Sequence, residues 1–338
     1  MQNLLDPAIL FFVLGVLAGL LKSNLEIPQQ ISRFLSLYLL MALGLKGGFA
    51  LNHSGFTPQV VSSLACAVGM AVLIPLMGYA LLKRFTTGFN AAAIAATYGS
   101  VSAVTFITSV QYAETHGIVY GGHMAAAMAL MESPAIIMAV LFANSLRNST
   151  PVMEVIPSGS AAVLSGPIEN NSGKGSSLGK ILHESLTDGA QLLLIGAMLV
   201  GYISGDAGKL AMKPFSGDLF KGMLAFFLLD MGLLAARNFP RKSGESPWLL
   251  AYAILGPVTH AAIALCVAMM FRLTPGDGGL LMVLCASASY IAVPAVLRYA
   301  IPEANPSLYF GMSLGVTFPM NILFGIPIYM EIARRMLS

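Results

Sequence analysis

Charge is what this sequence lacks most. Of its 338 residues, 10% are Asp, Glu, Lys or Arg, against roughly 25% in a soluble domain. An ordinary cytosolic enzyme is thereby excluded. The net charge is only +3 at pH 7, so no basic face exists to match a phosphate backbone, and nucleic acid is excluded as a partner. Cysteine is scarce as well. Cys66, Cys266 and Cys285 lie within apolar runs, with no CxxC spacing. That argues against a disulfide framework or a zinc site and for small buried hydrophobes. No GxxxxGK[ST] occurs, so no P-loop ATPase drives the protein. HExxH and GxSxG are missing too, which leaves metalloprotease and hydrolase chemistry without residues. The chain is expected not to be an enzyme and to need no organic cofactor. Met1 to Leu5 carries no positive residue, so the first apolar run reads as a retained span rather than a cleaved signal.

What is present is apolar surface. Residues of the AVILMFWYC set make up 57%, which excludes disorder, coiled coil and collagen. At about 20 apolar residues per span, this load suits about ten spans. The expected fold class is an all-α polytopic membrane protein. Runs bounded by charge, Pro or Gly place spans near 7–22, 28–45, 58–82, 89–113 and 119–146, then near 188–205, 216–236, 247–272, 278–301 and 306–333. Residues 147–187 are rich in Ser, Gly, Asn and Pro and read as a linker outside the bilayer. The expected domains are therefore 1–146, the linker 147–187, and 188–338.

The two halves resemble each other. Pro58 and Pro247 each open a third span, and Gly44 and Gly232 sit near the ends of the second spans. The fourth span carries Tyr98-Gly99-Ser100-Val101-Ser102-Ala103-Val104-Thr105, and the ninth carries Ser287-Ala288-Ser289-Tyr290-Ile291-Ala292-Val293-Pro294. Five spans per half is an odd number, so a duplicated half is inverted across the membrane, a signature of secondary transporters. Eleven of the 18 Lys and Arg residues fall on the linker side of this topology and seven on the other. The bias places the linker in the cytoplasm and both termini outside; the expected location is the cell inner (plasma) membrane.

Candidate chemistry lies at the small-residue clusters halfway along spans 4 and 9. A helix broken at bilayer depth exposes backbone groups that lipid cannot satisfy, so each break must face protein or a polar cavity. The half-helix restarting after each break points a positive dipole end there. The expected anion site comprises Gly99, Ser100, Val101, Ser102 and Ala103 with Ser287, Ser289, Tyr290, Ile291 and Ala292. Small residues also permit close helix packing, but two clusters at matching places favour a site.

Buried acids give the second signal. Glu132 in span 5 and Asp230 in span 7 are intramembrane carboxylates, and such charges are expensive enough to be functional by default. Pro134 frees a carbonyl four residues back, so Glu132, Thr105, Ser102 and Ser289 are the candidate ligands for a hard cation such as sodium. No other metal is expected. Asp230 has an alternative role, pairing with Lys46 or a neighbouring helix. His260 reads as a packing residue. Gly15–Gly19 and Gly201–Gly205 have GxxxG spacing, a weak sign of close helix contact.

Four stretches carry a resemblance: Gly44-Leu45-Lys46-Gly47-Gly48, residues 98–105, Glu132-Ser133-Pro134-Ala135, and 285–327, including Leu297-Arg298-Tyr299-Ala300-Ile301-Pro302-Glu303-Ala304-Asn305-Pro306-Ser307. The chain resembles the SbtA-type sodium-dependent bicarbonate transporters. That resemblance implies ten spans as two inverted five-helix repeats, a homotrimer and an elevator motion. It also implies bicarbonate import with sodium as coupling ion, and a PII-like regulator on the cytoplasmic face. Departures from the family pattern fall on the candidate site: Ala292 and Val293 stand in place of the small residues before Pro294, and Ser133 in place of the Ile after the first-half acid. The family's acid after the second-half serines is replaced here by Tyr290. The leading expectation is sodium:bicarbonate symport. Transport of a different anion, or a non-transporting membrane anion sensor, are the alternatives.

Overall fold

The computed structural model describes residues 6–55, 57–149, 189–238, 246–290 and 292–338. Helices make up 84% of it, with no strand among the described residues. The helices are α1 Pro7–Leu20, α2 Gln29–Ser54, α3 Pro58–Leu82, α4 Gly88–Gly99, α5 Ala103–Thr115 and α6 Met124–Ser149. In the second half they are α7 Gly189–Lys213, α8 Phe220–Asn238, α9 Pro247–Met270, α10 Pro275–Ala286, α11 Ala292–Ala300 and α12 Pro306–Met336. Two turns of α12, Ser313–Thr317 and Asn321–Gly325, are π-helical. Seven stretches are long and apolar enough to cross a membrane. Large apolar side chains such as Leu14, Leu17, Val61, Ile203, Leu210 and Leu255 point outward, as the faces of lipid-exposed helices do.

Local chemistry sets the helix starts. Asp6 caps α1 by accepting from the Ala8 N–H at 2.8 Å. Thr57, Thr87 and Thr274 cap α3, α4 and α10 through their side-chain oxygens. Pro opens α1, α3, α9, α10 and α12, where its missing N–H costs nothing.

Packing divides the helices into two groups. In one, α1 lies along α8 and α2 along α7. Both contacts are backbone-close. A Cβ on Gly15 would overlap the Leu229 carbonyl oxygen, and one on Gly232 the Phe12 carbonyl oxygen. In the second pair, a Cβ on Gly48 would overlap the Met198 carbonyl oxygen, and one on Gly201 would lie 2.6 Å from that of Leu45. Small residues let helices approach where lipid offers no hydrophobic drive. Gly205, read as the partner of Gly201, does something else. It takes φ 53° and ψ −140° and kinks α7, a conformation in the left-handed region that glycine tolerates.

The second group holds α3–α6 and α9–α12. Within it, α3 packs on α4 and α6, and α9 on α10. Every residue from Ala91 to Gly99 and from Gly276 to Ala286 is buried, so the half-helices leading into the breaks are interior elements. The halves are latched together at both ends of this group. Asn90 on α4 accepts the Asn305 N–H at 2.8 Å, and Asp277 on α10 accepts the Gly121 N–H at 2.6 Å. Beside the first latch, Arg147 makes two bonds to Glu303, at 2.9 and 2.8 Å, and holds that carboxyl below its ordinary pKa.

Several expected boundaries move. The second span was expected to end at 45, with Lys46 outside. Instead α2 continues to Ser54. Gly47 and Gly48, which look like a helix end, serve close approach to Gly122 and Gly201. Lys46 stays on the helix and pairs with Glu114 at 3.0 Å. Asp230 is therefore free of Lys46; it accepts from the Ser32 hydroxyl on the neighbouring α2. The sixth span runs on past 205 to Lys213. Of the expected linker, 147–149 belong to α6 and the rest lies outside the described residues. Cys66 and Cys285 are buried, whereas Cys266 is exposed.

The glycine contacts yield a test. Gly232→Val should cost about 1–3 kcal/mol through overpacking and lower the melting temperature of the detergent-purified protein. Gly69, with nothing within 4 Å of its position, should accept Ala without a comparable loss. Equal melting of Gly232→Val and wild type would contradict the close-packing reading.

Candidate functional site

Helix α4 ends at Gly99, and α5 starts at Ala103. Helix α10 ends at Ala286, and α11 starts at Ala292. Spans 4 and 9 are therefore interrupted where the sequence indicates. Ser100 is extended (φ −92°, ψ −176°), and its N–H still donates to Ala96. Ser102 caps α5, its hydroxyl accepting from the Thr105 N–H at 3.2 Å. On the second break, Ser289 accepts from the Val293 N–H at 3.3 Å. Each break thus supplies a serine cap to the half-helix that follows it.

The two breaks are bonded to each other. The Ser102 N–H donates to the Ser287 hydroxyl at 2.9 Å, and the Ser289 N–H donates to the Thr97 carbonyl at 2.8 Å. The Ser287 hydroxyl in turn donates to the Leu284 carbonyl at 2.7 Å. These bonds satisfy part of the backbone freed by the interruptions. Two helix amino ends (α5, α11) and two carboxyl ends (α4, α10) converge there. The amino ends favour an anion and the carboxyl ends a cation.

Around the crossing, buried polar atoms remain without partners among the described residues: Thr97 Oγ1, Ser100 Oγ, Thr105 Oγ1 and Asn321 Oδ1. Burying such groups unpaired costs about 1–3 kcal/mol each. Three of them lie on the first interrupted span and one on the π-turn of α12 that packs against α5 and α10, a grouping that points to a polar or ionic ligand.

The expected site residues fare differently. Gly99 allows the chain to pass Pro75, whose ring a Cβ there would overlap. Val101 and Ser287 are buried, and Ala103 is half-buried. Of the backbone N–H groups assigned to the anion, those of Ser100, Ser102 and Ser289 already have protein partners in this conformation. Tyr290 is buried; its hydroxyl interacts with Ser102 and donates to Met231 Sδ at 3.8 Å, and its ring meets Phe318 edge-on at 5.2 Å. It therefore ties the second break to α8. Ile291 lies outside the described residues, and Ala292 begins α11. Glu132 is 8% exposed on α6, the helix that packs against α4 and α11. His260 is buried, bonded to the Cys285 backbone, with Tyr252 at 6.1 Å.

Sequence reasoning missed Thr97, Thr317 and Asn321. Thr317 bonds Tyr98 at the end of α4 and donates to the Ala253 carbonyl, both at 2.7 Å. Asn321 donates to the Ala286 carbonyl at the end of α10, also at 2.7 Å. The available signal was a polar residue inside an apolar run, Phe318-Pro319-Met320-Asn321-Ile322.

A family model described as the Na+-dependent bicarbonate transporter superfamily matches residues 7–334. The chain belongs to this family, and its several apolar helices make it a multi-pass membrane protein of a sodium-dependent transporter class. No curated protein matches it.

The cross-bond between the breaks is testable. Ser287→Ala leaves the buried Ser102 N–H without its acceptor and should cost about 1–3 kcal/mol, read as a lower melting temperature. Ser62→Ala, on an exposed face of α3, is the control. Indistinguishable melting of the two variants would show that the breaks are not held by this bond.

Proposed function

We propose, from membership of this superfamily, that the chain is a secondary transporter that imports bicarbonate with sodium across the inner (plasma) membrane. The observation that carries the reading is the crossing of two interrupted helices, bonded to each other and ringed by buried oxygens without partners. The helix amino ends of α5 and α11 would hold the anion. Glu132, with hydroxyls of Thr105, Ser102 and Ser289, would hold sodium. Sodium offsets the anion's charge in a medium where an isolated charge is expensive, so the two travel together.

The ten-span inverted repeat belongs to the same proposal. Exchanging α1–α6 with α7–α12 maps the α1–α8 contact onto α7–α2, α3–α4 onto α9–α10, and α4–α6 onto α10–α12. It also maps the Asn90–Asn305 latch onto Asp277–Gly121. Seven apolar stretches become ten spans when Leu192–Arg237 is divided into α7 and α8 and the short helices α1 and α10 are counted. The backbone-close pairing of α1 with α8 and of α2 with α7, as a group distinct from the packing of α3–α6 with α9–α12, supports an elevator motion of one group against the other. The resemblance to SbtA-type transporters extends the proposal to a homotrimer and to a PII-like regulator on the linker side.

Tyr290 favours a second reading, transport of a different small anion. Its ring fills the second break beside Phe318, and a phenol with an ordinary pKa near 10 carries no charge to replace an acid.

The test is uptake of labelled bicarbonate into proteoliposomes with sodium or with choline outside. Sodium should stimulate uptake, and Glu132→Gln should raise the half-saturating sodium concentration. Uptake independent of sodium overturns the coupling. Sodium-driven uptake of another anion in place of bicarbonate selects the second reading. An unchanged sodium dependence in Glu132→Gln makes that residue structural.

A further inference from the structure

The last helix reaches both breaks through its irregular turns. Thr317 ends the first π-turn of α12 and Asn321 opens the second. They are four residues apart, and one touches the end of α4 while the other touches the end of α10. A π-turn inserts an extra residue into a helix, and such turns recur at functional sites. Here the second π-turn packs against α5 and α10, one half-helix from each repeat.

Asn321 has an imbalance that a purely structural cap would not need. Its side chain is 1% exposed. The amide nitrogen donates to the Ala286 carbonyl at 2.7 Å, which fixes the orientation of the group, because a carbonyl accepts only from the nitrogen side. The amide oxygen then has no partner among the described residues. An amide oxygen accepts and never donates, so it serves a cation or a hydrogen-bond donor and cannot itself hold an anion. It stands at the carboxyl end of α10, where the helix dipole adds negative potential. Space is kept for it as well: a Cβ at Gly325 would lie 2.5 Å from Asn321 Oδ1. On the facing α5, Thr105 Oγ1 is another buried oxygen without a partner.

We propose that Asn321 Oδ1 is a ligand of the coupling sodium, supplied by the second π-turn of α12. This rests on the sodium-transport reading above and adds to it a residue from outside both breaks. An uncharged amide oxygen, with hydroxyl and carbonyl oxygens, suits a hard monovalent ion.

The experiment follows the melting temperature of the purified full chain as sodium chloride replaces choline chloride at constant ionic strength. Asn321→Leu removes the oxygen and should raise the sodium concentration for half-maximal stabilisation by about tenfold or more. Asn321→Asp keeps an oxygen but loses the donor to Ala286, and should retain the sodium response. Gly325→Ala crowds the oxygen while leaving the donor, and should weaken the response. If Asn321 is only a cap on α10, Asn321→Leu and Asn321→Asp will melt lower without sodium and respond to sodium as wild type does, which overturns the assignment. A wild type without any sodium response overturns the assignment together with the reading beneath it. A wild type that responds, beside an equally responsive Asn321→Leu, overturns the assignment alone.

Discussion

Hydrocarbon cannot hydrogen-bond a peptide group, and the architecture follows from that constraint. A helix satisfies its own backbone, so interrupting one inside the bilayer requires a partner that brings compensating groups. Here the partner is a second interrupted helix. The N–H of Ser102 meets the hydroxyl of Ser287, and the N–H of Ser289 meets the carbonyl of Thr97. Each break thus supplies an acceptor to a backbone N–H of the other. The interior position of α4 and α10, with every residue from Ala91 to Gly99 and Gly276 to Ala286 buried, protects that exchange from lipid.

The surrounding helices solve a different problem. Helices in lipid gain little from hydrophobicity and hold together by close contact. The α1–α8 and α2–α7 pairs do so through Gly15 and Gly232, and through Gly48 and Gly201. In the other group, contacts are made by side chains and by the Asn90 and Asp277 latches. Tyr290 connects the two groups through Met231. Lys46 and Glu114 pair across the same boundary at 3.0 Å, and the rings of Phe12 and Phe318 meet across it edge-on at 5.5 Å.

Much of this was legible in the sequence because it is written in composition. Breaks need small residues and hydroxyls, and Gly99 to Ser102 and Ser287 to Ser289 supply them. Intramembrane carboxylates stand out against an apolar background, so Glu132 and Asp230 were visible. What stayed hidden depends on contacts distant in sequence. The partner of Asp230 is Ser32 on another helix. Gly47 and Gly48 resemble a helix end yet lie within α2, because glycine serves close packing as readily as termination. Gly205 fits a packing motif but forms a kink. Thr317 and Asn321 gain their place from π-turns, which leave no periodicity that composition reveals. The Lys and Arg bias gives only an expected orientation, and the expected linker, beyond the residues 147–149 that belong to α6, falls outside the described residues.

The central claim is that the crossing of the two breaks is where sodium and the anion bind together. An experimental structure determined in sodium bicarbonate, compared with one in choline chloride, tests it most directly. The account predicts added density between the breaks, within reach of Thr97, Ser100, Thr105 and Asn321, that disappears in choline. Density of the same kind elsewhere in the chain, with the crossing unchanged between the two conditions, would contradict it.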